Sequence, residues 1–127
     1  MDIALVVESE QKVSMEIMVV ALANEGFHIV RVKENASALR HIHELSPDIL
    51  IIPGGLPEHV QLCTEIRKIT DAPVVTIFKS ADEMAQVSML EAGADIYLEE
   101  PVGKLESVAR AHALLRRYRK SGADGFY

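Results

Sequence analysis

The chain has 127 residues, 49% of them apolar, which is one ordinary domain with enough material for a proper core. Net charge is −6, but residues 1–109 carry eight basic and eighteen acidic groups, net −10; such a body repels nucleic-acid phosphates and excludes direct DNA binding by this segment. No apolar run approaches the roughly 20 residues of a membrane helix, tryptophan is absent, which argues against a base-stacking platform, and the single cysteine, Cys63, cannot form an internal disulfide, as expected of a cytoplasmic protein.

Short apolar runs alternate with helical patterns five times. MDIALVVESE has no basic segment before its apolar run and turns acidic at once, so it reads as a first strand, Ile3–Val7, and not as a signal peptide. Ser9 is placed to cap a helix running to Glu25, with Gly26 as its stop. Phe27–Val32 is the second strand. Asn35 caps a second helix, with Ala38, Ile42 and Leu45 at helical spacing, which Ser46-Pro47 ends. Asp48–Ile52 is the third strand, closed by Pro53-Gly54-Gly55, and Pro57 suits the first turn of a helix reaching about Thr70. Pro73–Ile77, a helix over Ala81–Ala92, Ile96–Leu98 and a last helix from about Gly103 to Lys120 complete the pattern. The tail 121–127, SGADGFY, has the composition of a linker. The basic run Arg116–Lys120 is either a weak phosphate contact or a set of cations suited to a helix C-terminus.

Strands apolar on both faces belong inside a parallel sheet covered by helices. Five β-α units with right-handed crossovers predict an α/β, doubly wound, five-stranded parallel sheet, flavodoxin-like (βα)5, in strand order 2-1-3-4-5. Such folds place ligands at the carboxyl ends of the strands. The telling residues are therefore Glu8, Ser9, Pro53, Gly54, Phe78, Lys79, Glu99 and Glu100.

The stretches ALVVESE, EGFHIVRV, SPDILIIPGGLP, APVVTIF and EAGADIYLEEP, in order and without gaps, resemble receiver domains of two-component response regulators. The resemblance covers nearly the whole chain, with residues 1–120 as the receiver-like unit. The last helix, VARAHALLRR, is similar to the OmpR/PhoB subfamily, in which a winged-helix DNA-binding domain follows, so residues 121–127 are a tail or a linker to such a domain.

The residues that carry the family's chemistry do not match. Where receivers hold Mg²⁺ with two acids after the first strand, this chain has Glu8 and Ser9. Pro53 stands at the phosphoacceptor aspartate, Phe78 at the Ser or Thr that binds the phosphoryl group, and Glu100 at the lysine before Pro101. Phosphoryl transfer needs a nucleophilic oxygen, a metal and a cation on the phosphoryl oxygens. Proline has no nucleophile, phenylalanine no hydroxyl, and Glu100 repels the anion. The resemblance, with these departures, implies a phosphorylation-independent pseudo-receiver in signal transduction or transcription regulation. It would be no enzyme, with no catalytic residue, metal or cofactor.

Tyr97 matches the family's aromatic switch position; with no phosphate to report on, the favoured reading is a packed aromatic at a strand end. Asp95 and Arg110 match charged positions used in dimers through the fourth helix, fifth strand and fifth helix, although Ile96 replaces the second acid of the usual GADDY stretch. They read otherwise as solvated surface charges. On the first helix, Met15, Met18, Val19 and Leu22 form the face that should lie on the sheet, and Val13, Ile17 and Val20 form a second stripe opposite. That stripe is partly covered by the last helix, scattered exposed apolar surface, or a contact surface for a second copy or another signalling protein.

Two other readings stand beside the receiver. Phe78, Pro53, Glu99 and Glu100 would form a half-apolar, acidic mouth for a small neutral or cationic ligand, or Phe78 simply fills the pocket. DILIIPGGLPEHV also resembles a strand and loop of the DJ-1/PfpI family, whose nucleophile is an elbow cysteine; Cys63 sits inside the third helix without elbow glycines, as a small, partly buried helix residue. His28, His41, His43, His59 and His112 lack metal-ligand spacing and read as surface residues.

Overall fold

The computed structural model describes residues 2–8, 15–33, 36–79 and 83–118. Five parallel strands, β1 (Ile3–Glu8), β2 (His28–Lys33), β3 (Ile49–Pro53), β4 (Val74–Phe78) and β5 (Ile96–Glu99), form one sheet in the order β2-β1-β3-β4-β5. Helices α1 (Glu16–Asn24), α2 (Ala36–Leu45), α3 (Pro57–Arg67), α4 (Glu83–Glu91) and α5 (Lys104–Tyr118) connect them. This is the flavodoxin-like order predicted.

Alternation along the strands builds two cores, because successive side chains leave opposite faces of a sheet. Ala4, Val6, Ile49, Ile51, Val75, Ile77 and Leu98 meet Met15, Met18, Val19 and Leu22 of α1 and Ala111, Leu114 and Leu115 of α5. Leu5, Val7, Leu50, Ile52, Val74 and Phe78 meet Ala38 and Ile42 of α2, Cys63 and Ile66 of α3 and Met89 of α4. Strands β3 and β4 are buried along their whole length, while the edge strands β2 and β5 are only partly covered. Phe27, Val32 and Val102 close the margins of the two cores.

Strands β2, β3 and β4 each sit one residue later than the sequence predicts. Asp48 explains β3: its carboxylate accepts the Ile3 N–H at 2.7 Å and its own N–H bonds the Ile3 carbonyl, so it fastens the start of β1 before the strand begins. Pro53 is tolerated at the end of β3 because of phase. The N–H groups of Leu50 and Gly54 point to β4, at Pro73 and Ile77. The nitrogen of Pro53 lies in the alternate phase, toward β1, whose pairing with β3 stops at Val6↔Ile51. Its missing donor therefore removes no ladder bond.

Gly26 ends α1 with φ +93° and Pro57 opens α3, both as predicted. The caps assigned to Ser9 and Asn35, residue Val13, the first two residues of the predicted fourth helix and everything beyond Tyr118 lie outside the described residues. No helix among the described residues is long and apolar enough to cross a membrane.

Candidate functional site

The carboxyl ends of the strands bring Glu8, Pro53, Phe78, Lys79, Glu99 and Glu100 to one rim of the sheet. Ser9 lies outside the described residues. Glu8 is exposed. Its carboxylate faces Arg31 of β2 at 3.4 Å, and the same guanidinium reaches Glu16 at the start of α1 at 3.0 Å. The register Val6↔Arg31 and Glu8↔Lys33 places Arg31 diagonally beside Glu8. The hydrogen bond to Glu16, foremost, and the charge of Glu8 raise the Arg31 pKa above its ordinary value. Sequence reading passed over Arg31 because it belongs to an edge strand with no motif of its own.

The middle of the rim is closed. Pro53, Gly54 and Phe78 are all buried. The Phe78 ring lies over Gly54 so tightly that a β-carbon built on Gly54 would sit 2.6 Å from Phe78 Cε1 and 2.5 Å from Thr76 Oγ1. Glycine is required there by close approach. Tyr97 meets Phe78 edge to face, with ring centroids 5.9 Å apart and an interplanar angle of 71°. Of the two readings of Phe78, it is the filler: Phe78 and Pro53 are buried, Glu99 is exposed, and Glu100 lines a different cleft. That cleft, of about 470 Å³, lies between α1 and the β5–α5 turn and is lined by Ile17, Met18, Ile77, Lys79, Glu100, Pro101 and Val102.

Asp95 and Arg110 do not bond each other. The Asp95 carboxylate accepts the Val74 N–H and Arg67 Nη2, both at 2.7 Å. Arg67 also donates to the carbonyls of Ala72 at 2.6 Å and Gly93 at 2.9 Å. A side chain at Gly93, whose φ is +118°, would collide with Arg67. Asp95 is thus a bound strand-start residue and not the purely solvated charge of the blander reading. Arg110 stands 3.7 Å from Glu106, one turn earlier on α5. Asp95, Tyr97 and Arg110 nonetheless share a shallow groove with Leu90, Ile96 and Glu106.

On α1 the sheet-facing set is buried as predicted, and Ile17 and Val20 are 42% and 50% exposed. A further exposed apolar row, Met84, Val87 and Leu90 on α4, escaped the sequence reading although its spacing of three residues was visible.

Two expectations need correction. His59 is buried, not a surface residue: it occupies the first turn of α3, where its Nδ1 accepts the Leu56 N–H at 3.3 Å. Cys63 is wholly buried, not partly, and burial pushes its thiol pKa up against the opposing pull of Arg67. A raised pKa inside a helix is the reverse of an activated nucleophile, so the DJ-1/PfpI alternative finds no support. Among the described residues, no three His, Cys, Asp or Glu side chains converge as a metal site would require.

Known proteins resemble the chain in the same terms. The regulatory protein VanRc of Enterococcus gallinarum is 30% identical over 118 residues, 91% of this chain and 51% of that protein. The transcriptional regulatory protein KdpE of Mycobacterium tuberculosis is 31% identical over 119 residues, 92% of this chain and 52% of that protein. The chain spans about half the length of these curated relatives. A CheY-like receiver domain protein from Methanospirillum hungatei superposes with a TM-score of 0.80 at 20% identity, covering 96% of this chain and 99% of that one. A putative response regulator from Chloroflexus aurantiacus superposes at 0.78 with 28% identity, covering 91% and 98%. The family model for the response regulator receiver domain matches residues 4–112, and the chain belongs to that family, the receiver domain of two-component systems.

Proposed function

We propose that this is a receiver domain that works without phosphorylation, as a cytoplasmic, non-enzymatic part of a transcriptional regulator or as a stand-alone adaptor. It acts by contact with a second copy of itself or with another signalling protein. DNA is reached only through an additional domain where one is present, as the names of relatives such as the DNA-binding response regulator MtrA suggest. The observation that carries the reading is the closure of the β3 and β4 ends, where Pro53 and Phe78 are both buried. Those are the positions at which receivers keep a nucleophile and a hydroxyl. The engagement of Glu8 with Arg31 supports it, since a carboxylate neutralised by a guanidinium is a poor Mg²⁺ ligand.

Beryllofluoride with Mg²⁺ tests the reading directly. Amide resonances around Glu8 and Tyr97 should stay in place, and acetyl phosphate should add no phosphoryl mass. Saturable shifts or an added phosphoryl group would refute it. The contact surfaces are the Ile17–Val20 face of α1 and the α4–β5–α5 face bearing Tyr97, Asp95 and Arg110. Ile17→Glu and, separately, Arg110→Glu should lower the mass measured by light scattering; if neither does, dimerisation through these faces is wrong.

A further inference from the structure

We propose that the exposed face of α4 docks a cationic amphipathic helix of another signalling protein. The inference rests on the reading above that this domain acts through protein contacts, and it names the partner's chemistry. Of the nine residues of α4, EMAQVSMLE, only Met89 is buried. Met84, Val87 and Leu90 are 77%, 44% and 41% exposed. Val87 lies four residues after Glu83 and four before Glu91, so the two carboxylates stand one turn to either side of it on the same helix face. Met84 and Leu90 flank Val87 at three-residue spacing. The result is an apolar row bounded at each end by an acid. No Lys or Arg lies within α4, and among the described residues neither Glu83 nor Glu91 forms an ion pair.

Leu90 joins this row to the groove of about 480 Å³ along β5, where Ile96 and Tyr97 are only partly buried. Glu106 lines that groove as well, and Arg110, its cation, already stands 3.7 Å from it. An apolar strip with uncompensated acids at its ends selects a helix whose apolar residues recur at i, i+3 and i+7 between Lys or Arg. A second copy laid on this face would bring acid toward acid, which makes it the weaker occupant. The exposed row of α1 differs in this respect. Its bordering acids are engaged inside the domain, Glu16 with Arg31 at 3.0 Å and Glu25 with His112 at 2.6 Å. Charge therefore gives Ile17 and Val20 no preference for a cationic partner. The two exposed rows are alike in apolar character and take partners of different charge.

A synthetic helical peptide with leucines at i, i+3 and i+7 between arginines tests this, beside a twin in which glutamates replace the arginines. Titrated into the 127-residue chain, the arginine peptide should give saturable amide shifts centred on Met84, Val87, Leu90 and Tyr97. The glutamate twin should bind roughly tenfold more weakly, the combined effect of two rim ion pairs. Glu83→Gln combined with Glu91→Gln should erase that preference, whereas Val87→Ser should weaken both peptides alike. All three positions are exposed, so the variants should keep the fold. No saturable shift at millimolar peptide, equal binding of the twins, or shifts centred on Ile17 and Val20 would overturn the proposal. Repeating the titration with beryllofluoride and Mg²⁺ separates it from the reading it rests on. Arginine-peptide binding that appears only with beryllofluoride would support the α4 face while refuting independence from phosphorylation.

Discussion

The two ends of strand β4 are built on opposite principles. At its carboxyl end, Phe78 seals the rim against Gly54 and Tyr97 by apolar contact. At its amino end, Arg67 and Asp95 bind backbone groups around Val74 with charged side chains. In open α/β sheets the carboxyl end is where chemistry resides and the amino end is where stability does. Here the carboxyl end has taken on packing as well, and the polar groups that remain well ordered serve the fold.

The sharpest way to break this comparison is to remove the seal. Phe78→Ala should destabilise the domain by about 3–5 kcal/mol, the usual range for truncating a buried phenylalanine, measured by urea unfolding. Arg67→Ala attacks the other end; with a partly exposed guanidinium and several acceptors left unpaired, a loss of about 2–4 kcal/mol is expected in the same assay. Near-wild-type stability for either variant would remove that end from the comparison. Gly54→Ala should cost about 1–3 kcal/mol through overpacking. Combining it with Phe78→Ala should cost less than the sum, because the ring is one of the two obstacles, Thr76 Oγ1 being the other. The smallest effect belongs to Arg31→Ala: this exposed pairing with Glu8 and Glu16 should contribute at most about 1 kcal/mol and fade in salt. Iodoacetamide sharpens the picture without mutation: Cys63, buried and with a raised pKa, should react only as fast as the domain opens, and faster in Phe78→Ala.

The comparison also marks how far the residues could be read without coordinates. The strand order and the two-sided burial of β3 and β4 followed from apolar runs broken by Gly and Pro at Gly26, Pro53-Gly54 and Pro57, because those signals are local. The proposed departures from the receiver pattern at Pro53, Phe78 and Glu100 rest on local signals of the same kind. What the sequence could not show were relations across the chain. Arg67 bonds carbonyls at Ala72 and Gly93 that any residue would supply, so no motif announces it. His59 is buried because a helix start turns it inward, not because of its type. Of the two readings of Phe78, mouth or filler, the structure has the filler, because the ring is large enough to reach Gly54 and join the core, a matter of volume and direction.

Arg67 adds polar bonds between three stretches that already share one apolar core: the end of α3, the entry to β4 and the turn from α4 into β5. Its consequence belongs to the opening motions of the native protein. With one guanidinium bonded across all three, the last two βα units cannot detach from α3 piecemeal. The amides of Val74 and Asp95, in reciprocal bonds with Asp95 and Val74, should therefore exchange with deuterium at the rate of a single large cooperative unit. The amides of Met84–Leu90 on α4, to which Arg67 makes no bond, should exchange faster than those of Val74 and Asp95.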